Sequence, residues 1–327
     1  MPPPGLDRTR SPLPSGVESA GGARLPLEDI LAAHQLWLGK TGEGRRADLT
    51  RRCYSGAVLA GVRLEKAVLR SSSWVEADLF RANLVGADLT FADLRAATLE
   101  QADLTSANLG HARFERANLK GAALAECHAV EANFAGAQLE NSRWLDSVVQ
   151  MCRFPGARMA GTVFNQARLF RCDFTEAVLE KANLSYARFQ VCKFNGAVLR
   201  EAKMGGSHFE DSSFSQADLT DARLARSHLS RCHFNRARMD GADLAEACLA
   251  GADLSQADLR GVRLGGADLH AADLRGANLT GAREVSGDQL AMARTDATTI
   301  LPNGKNGPYM RRSGAEKPLR TPLQSPA

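Results

Sequence analysis

Small and large apolar residues recur along this chain with a period of five from Ala47 to Gly281. Each repeat approximates Ala-Asp-Leu followed by two variable residues, as in the copy from Ala102 to Ser106. Of the 47 small positions 32 are Ala, and of the 47 large positions 29 are Leu and 10 are Phe. Because a period of five fits neither a helix nor an alternating strand, it predicts a chain that turns a corner every fifth residue.

A second period of 20 residues indicates how many sides close one coil. Phe occupies seven successive positions at this spacing, from Phe114 to Phe234. Cys occupies four positions at the same spacing, namely 152, 172, 192 and 232. Four sides of five residues therefore form a coil, and stacked coils bring like residues onto like. Each side points one small and one large side chain inward.

This pattern resembles the pentapeptide-repeat family, whose consensus is close to Ala-(Asp/Asn)-Leu-X-X. The resemblance covers 235 of the 327 residues. It implies an all-β fold, a right-handed quadrilateral parallel β-helix solenoid. With about 12 four-sided coils and a spacing of about 4.8 Å between them, the solenoid would be a rod roughly 55 Å long.

The residues before the repeat predict a disordered segment followed by a capping helix. Residues 1–24 are rich in Pro, Gly, Ser and Arg and are expected to be disordered. From Leu27 to Leu38 the apolar residues, with His34 on the same face, recur at helical spacing. An open solenoid end exposes strand edges and apolar core, so we expect residues 25–46 to form a capping helix and hinge.

The repeat fails after Ala282, because Glu284 stands where a large apolar residue belongs. The β-helix is therefore expected to span residues 47–286, with a C-terminal cap over 287–302. Residues 303–327 carry Pro, Gly and basic residues with little to bury, which predicts a disordered basic tail. Whether rods remain monomeric or form an end-to-end homodimer is left open by the sequence.

Charge and cysteine usage narrow the class of protein. The net charge is +4, yet residues 47–286 contain 29 basic and 29 acidic residues, so the solenoid itself is neutral. Nucleic-acid binding is not expected, since it needs a basic stripe with aromatic residues. Apolar runs fall short of the roughly 20 residues that cross a bilayer, and the start lacks a secretory signal. The seven Cys are expected to be reduced in the cytoplasm, although a signal-independent secretion route would fit equally well.

The sequence predicts neither catalysis nor a metal or cofactor site. The inward Cys column is interpreted as small apolar residues in Ala positions. An outward column of His208, His228 and Cys248 offers one ligand per coil, which makes a ladder rather than a tetrahedron. A rod with flat faces has no cleft in which catalytic residues converge, so the protein is not expected to be an enzyme.

One tract of the repeat, residues 127–191, departs from the consensus and supplies a candidate protein-binding face. Arg168 and Arg188 stack one coil apart, where like charges repel unless an anion neutralises them. Exposed apolar residues fringed by Arg are typical of interface centres. The alternative is drift, with Arg stems lying over isolated apolar residues. The predicted face consists of Leu145, Val148, Met151, Arg168, Phe170, Arg171, Arg188 and Val191.

The leading functional hypothesis is a rigid, non-catalytic scaffold that binds another protein through a flat face. The family resemblance implies a second hypothesis, because some members protect DNA gyrase by imitating the width and negative charge of a DNA duplex. The neutral solenoid argues against such mimicry, although a topoisomerase partner stays open. A secreted bacterial effector is a further alternative that the resemblance allows.

Overall fold

The computed structural model describes residues 25–40 and 42–318, so the disorder predicted for residues 1–24 lies outside the described part of the chain. Within it, the repeat winds into a four-sided parallel β-helix. The residue after each small position pairs with the residue 20 positions later, from Asp48 with Val68 through to Arg263 with Arg283. The predicted register of n with n+20 is confirmed. The coils stack without slippage over the whole repeat.

On one side of the rod, four successive coils widen from single bridges into strands. These strands are β1 (His128–Val130), β2 (Val148–Gln150), β3 (Arg168–Phe170) and β4 (Arg188–Gln190). They pair in parallel in the order β1-β2-β3-β4. This sheet lies in the tract where the sequence departs from the consensus.

The corners of the coils fall on the fifth residue of each repeat, which adopts a left-handed backbone. Gly121 has a φ of 64° there, and non-glycine residues such as Glu76 reach 58°. The sequence expectation that Gly marks corners is confirmed, since only Gly enters this region at little cost. Among the described residues, Val191 is the only β-branched residue with a positive φ, at 56°. Such a residue in this region is strained.

The core is a narrow column of Ala, Leu and aromatic side chains that are almost wholly buried. The seven predicted Phe residues stack one per coil, with centroids 4.7–4.9 Å apart and interplanar angles of 2–8°. Behind β4, Phe189 meets Phe194 of this column edge-on, 5.5 Å away at 65°. Parallel and edge-on ring pairs add to the stabilisation that burial alone provides.

The N-terminal helix α1 (Leu27–Leu38) covers the first coil, which confirms the predicted capping helix. Ile30 joins the core, and His34 is completely buried. The backbone N–H of Ala47, at the first repeat position, donates to His34 Nδ1 at 3.0 Å. The helix therefore supplies both apolar cover and a hydrogen-bond acceptor at the open end.

The C-terminal helix α2 (Gly287–Met292) begins at Ser286, which forms a reciprocal capping box with Gln289. Gln289 Nε2 also donates to the carbonyl oxygens of Leu264 and Ala267, both at 2.8 Å. Leu290 is buried against the core. The helix thereby occupies carbonyl groups that the next coil would have bonded. Across the described residues, neither helix has the length and apolarity needed to cross a membrane.

Residues 303–318 differ from the loose tail expected over 303–327. The chain folds back after Ile300, which pairs antiparallel with Asn306. The N–H of Tyr309 donates to Thr295 Oγ1 at 2.9 Å, and its hydroxyl donates to Glu316 Oε2 at 3.2 Å. Composition concealed this segment because backbone hydrogen bonds and one packed Tyr, rather than apolar periodicity, hold it in place. Residues 319–327 lie outside the described chain.

Candidate protein-binding face

The outward side chains of three successive coils form one continuous patch over β2, β3 and β4. We define the arginine face as the nine outward residues of these coils: Val148, Gln150, Met151, Arg168, Phe170, Arg171, Arg188, Gln190 and Val191. These nine residues include three Arg and no carboxylate. The face is therefore locally basic on a rod whose repeat is neutral overall.

The register of the sheet decides which predicted residues lie together. Val148, Arg168 and Arg188 are successive pairing partners across β2, β3 and β4. Met151 and Val191 belong to the corner column that follows these strands, at the left-handed position. Seven of the eight predicted residues thus share one patch. Leu145 lies apart, half-buried at the preceding corner.

Large apolar side chains are exposed on this face. The exposed fraction is 40% for Met151, 37% for Phe170 and 44% for Val191. The guanidinium carbon of Arg171 lies 4.9 Å from the centroid of the Phe170 ring, a cation–π contact. The ring and the cation together present an amphipathic surface.

The three arginines lack acidic partners within the described chain, where no ion pair involves Arg168, Arg171 or Arg188. Elsewhere on the rod, Arg commonly pairs with a carboxylate, as Arg231 does with Asp211 at 2.7 Å. That hydrogen bond holds the pKa of Asp211 below its ordinary range. The acids nearest along the corner columns are thus already engaged, and the face keeps its positive charge.

A stacked pair of basic residues is not distinctive by itself. Lys203 and Arg223 are also register partners on successive coils, on another side of the rod. That pair borders a shallow groove whose lining includes Glu201 and Asp221. What distinguishes the arginine face is the absence of carboxylates from its nine residues together with the exposed apolar side chains.

Tyr186 borders the arginine face at the corner before β4, and the sequence analysis missed it. Its side chain is 69% exposed. Its ring lies over Gly206 of the next coil. The available signal was an aromatic residue at a corner position followed by Gly 20 residues later. Tyr and Arg are the residue types that most often dominate binding energy at interfaces.

The inward Cys column has the character of a packed core. The thiol of Cys232 donates to the carbonyl oxygen of Phe209 at 2.8 Å, and Cys152 makes the matching contact with Ala129 at 3.3 Å. Burial raises the pKa of Cys232 to about 12. Since a metal ligand must be a thiolate, these protonated thiols are unsuited to that role.

A stacked, four-sided solenoid with a flat binding face defines a repeat protein of the β-helix class. The family model for pentapeptide repeats matches the chain in eight copies, which together cover residues 82–143 and 152–283. The chain therefore belongs to the pentapeptide repeat family, and its solenoid is the right-handed quadrilateral β-helix of that family.

Two solved structures illustrate the likeness. HetL, a pentapeptide repeat protein involved in heterocyst differentiation regulation from the cyanobacterium Nostoc sp. strain PCC 7120, is 25% identical with a TM-score of 0.47. That match covers 79% of this chain and 94% of HetL. QnrB1, a plasmid-mediated fluoroquinolone resistance protein, is 16% identical with a TM-score of 0.32, over 59% of this chain and 93% of its own. No curated protein matches the chain significantly.

Proposed function

We propose that this protein is a non-catalytic rod that binds another protein through the arginine face. The partner presents a carboxylate-rich segment that also carries apolar side chains. One observation carries this proposal: three arginines without acidic partners stand beside exposed Met, Phe and Val, in nine residues that contain no carboxylate.

Charge gives the face its preference for an anion. Arg168 and Arg188 are direct register partners, and like charges opposite each other in a sheet are destabilising. Guanidinium groups bind carboxylates with two parallel hydrogen bonds, which adds geometric specificity to the attraction. A bound carboxylate segment would relieve the repulsion and satisfy the donors together.

The apolar side chains supply the rest of the interface. Phe170, Met151 and Val191 surround the two stacked arginines and would exclude water from the ion pairs that a partner forms. Ion pairs on open surface contribute about 0–1 kcal/mol, whereas those shielded from water at interfaces contribute more. The strained backbone of Val191 fits this account, since strained residues cluster at functional sites.

A rigid support favours binding through this face. The strands β2, β3 and β4 are interior members of a sheet whose coils continue in both directions. The face is therefore preformed, and a partner does not have to order it on binding. Flat, preformed sides are the surfaces that solenoid proteins offer to partners.

A topoisomerase is one protein that could carry the complementary acidic segment. Protection by DNA mimicry has less support, because a DNA mimic presents negative charge and the distinctive face here is basic. The two hypotheses place the contact on different surfaces of the rod. Mapping the contact therefore separates them.

Site-specific photo-cross-linking tests the proposal. A photoreactive phenylalanine at position 170 is compared with one at Phe91, which is 58% exposed and lies outside the arginine face. Cross-linking is performed in cells of the source organism, and the attached peptides are identified by mass spectrometry. We expect position 170 to capture acidic peptides from one protein, and position 91 not to capture them.

Charge reversal supplies the matched control. Arg168→Glu with Arg188→Glu is expected to abolish the adduct at position 170. Lys203→Glu with Arg223→Glu reverses an equally stacked basic pair elsewhere and should leave the adduct unchanged. Adducts that consist of nucleic acid, or that survive the first reversal, would contradict the proposal.

A further inference from the structure

A triad of possible metal ligands lies on the same side of the rod, on the coils that follow β4. His208 and His228 are register partners on successive coils. Glu210 lies two residues after His208 and also faces outward. One ligand atom from each residue lies within 4.8 Å of the others. The sequence analysis had grouped the two histidines with Cys248 and overlooked Glu210.

The closest contact in the triad joins His208 Nδ1 and Glu210 Oε1 at 3.4 Å. The two imidazole rings are stacked, with centroids 4.1 Å apart and an interplanar angle of 4°. His208 and Glu210 are half-buried and His228 is exposed. The less constrained His228 ring is thus free to turn about its side-chain bonds.

Comparison with a similar cluster shows what is unusual here. Glu115 also lies between a residue on its own strand and one on the next coil. Arg113 Nε donates to it at 3.4 Å and Asn133 Nδ2 at 2.9 Å. Both of those neighbours can only donate to the carboxylate. At Glu210 the corresponding places hold imidazoles, which offer lone pairs to a cation.

We propose that His208, Glu210 and His228 bind one divalent transition-metal ion of the zinc type. Two imidazoles and a carboxylate are a common ligand set for such ions, which leaves the fourth position open. Metal–ligand bonds of about 2.0–2.2 Å place neighbouring ligand atoms of a tetrahedron about 3.3 Å apart. The distance from His208 to Glu210 already meets this requirement, and rotation of the His228 ring brings the third ligand into place.

The surroundings set the strength of the site. Arg188 precedes His208 in the same column and opposes a cation, whereas the carboxylate of Glu210 favours one. The thiol of Cys248 lies 3.1 Å from Ser230 Oγ and is not part of the triad. The open position therefore accepts water or a carboxylate from outside the chain. The site joins two coils, so the bound ion stabilises their stacking.

The test is titration of the full-length, chelator-treated protein with Zn²⁺ by calorimetry, with Co²⁺ absorption as a probe of tetrahedral geometry. Glu210→Gln and His228→Asn are each expected to weaken Zn²⁺ binding at least about tenfold. Zn²⁺ should raise the melting temperature of the wild type and not that of either variant. Melting temperatures without metal should match the wild type, since these side chains are outside the core.

Two control variants complete the experiment. His111 lies 3.4 Å from Glu131 across successive coils but lacks a third ligand, so His111→Asn should leave Zn²⁺ affinity unchanged. Cys248→Ser should also leave it unchanged. Undiminished affinity in both Glu210→Gln and His228→Asn, or its loss in Cys248→Ser, would overturn the proposal. Charge reversal at Arg168 and Arg188 does not remove a ligand, so this result is separable from that for the arginine face.

Discussion

The ring of Tyr186 lies against Gly206 so closely that a Cβ atom added to Gly206 would sit 2.7 Å from Tyr186 Cε1. Gly206 also has a φ of 66°, a region that other residues enter with strain. Gly206→Ala is therefore expected to lower the melting temperature and displace the tyrosine ring. In a Tyr186→Ala background the same change should cost less, because only the backbone strain remains. A double-mutant cycle measures the difference, and strict additivity would show that the ring is not held there.

Val191 pays for its left-handed backbone with strain that another side chain would relieve. Replacing it with Asn, which tolerates this conformation, should raise stability by about 1 kcal/mol. Val191→Ala is the matched control, since it removes the same apolar contact without providing the local hydrogen bonding that favours Asn. Denaturant unfolding of both variants makes the comparison. If Asn gives no gain over Ala, the backbone at this corner is not strained.

The Phe column should be a major source of stability in the middle coils. Phe174 is fully buried and stacks between Phe154 and Phe194 at 4.7 and 4.8 Å. Phe174→Ala should cost about 3–5 kcal/mol, because the thin core cannot collapse around the void. Lys193→Ala, at an exposed position on the next coil, should change the unfolding free energy by less than about 0.5 kcal/mol. Equal losses in the two variants would contradict the packing account.

The N-terminal cap should weaken in acid through His34. Burial lowers the pKa of His34 below its ordinary value of 6.5 and outweighs the opposing influence of Glu65. The folded chain thus favours the neutral ring, whose Nδ1 accepts from the Ala47 N–H. The stability that this provides is complete above pH 6.5 and is lost as the pH falls below 6.5 towards the lowered pKa, because the unfolded chain then binds the proton more readily.

The measurement is the unfolding free energy as a function of pH, from about pH 7.5 to about pH 5.5, across the range in which histidine titrates. His34→Gln keeps an acceptor for Ala47 and removes the titrating group. The wild type should lose more stability than this variant over the interval. Parallel curves would show that His34 does not control the acid response.

Most of the fold was predictable because a solenoid repeats one local rule. The spacing of Phe114 and Phe134 is enough to give the register of 20 residues, and corner Gly residues such as Gly121 follow from backbone sterics. The fold-back of residues 303–318 was not predictable in this way. Its contacts, such as that between Tyr309 and Glu316, follow no period and depend on the end of the rod as a support.

The two candidate sites were only partly visible in the sequence. Stacking by 20 brought Arg168 above Arg188 without a structure, but not the neighbouring carboxylates that are already engaged. Glu210 was missed because its approach to two histidines depends on how side chains lean across a side of the coil. Sequence spacing gives columns, whereas contacts between columns depend on side-chain direction.

The affinity of the cross-linked partner for charge-reversed rods tests the central claim most directly. The dissociation constant is measured for the wild type, for Arg168→Glu with Arg188→Glu, and for Lys203→Glu with Arg223→Glu, after equal melting temperatures have been verified. The account predicts at least about a thirtyfold weakening, about 2 kcal/mol, for the first pair and none for the second. Equal affinity for all three proteins would contradict it.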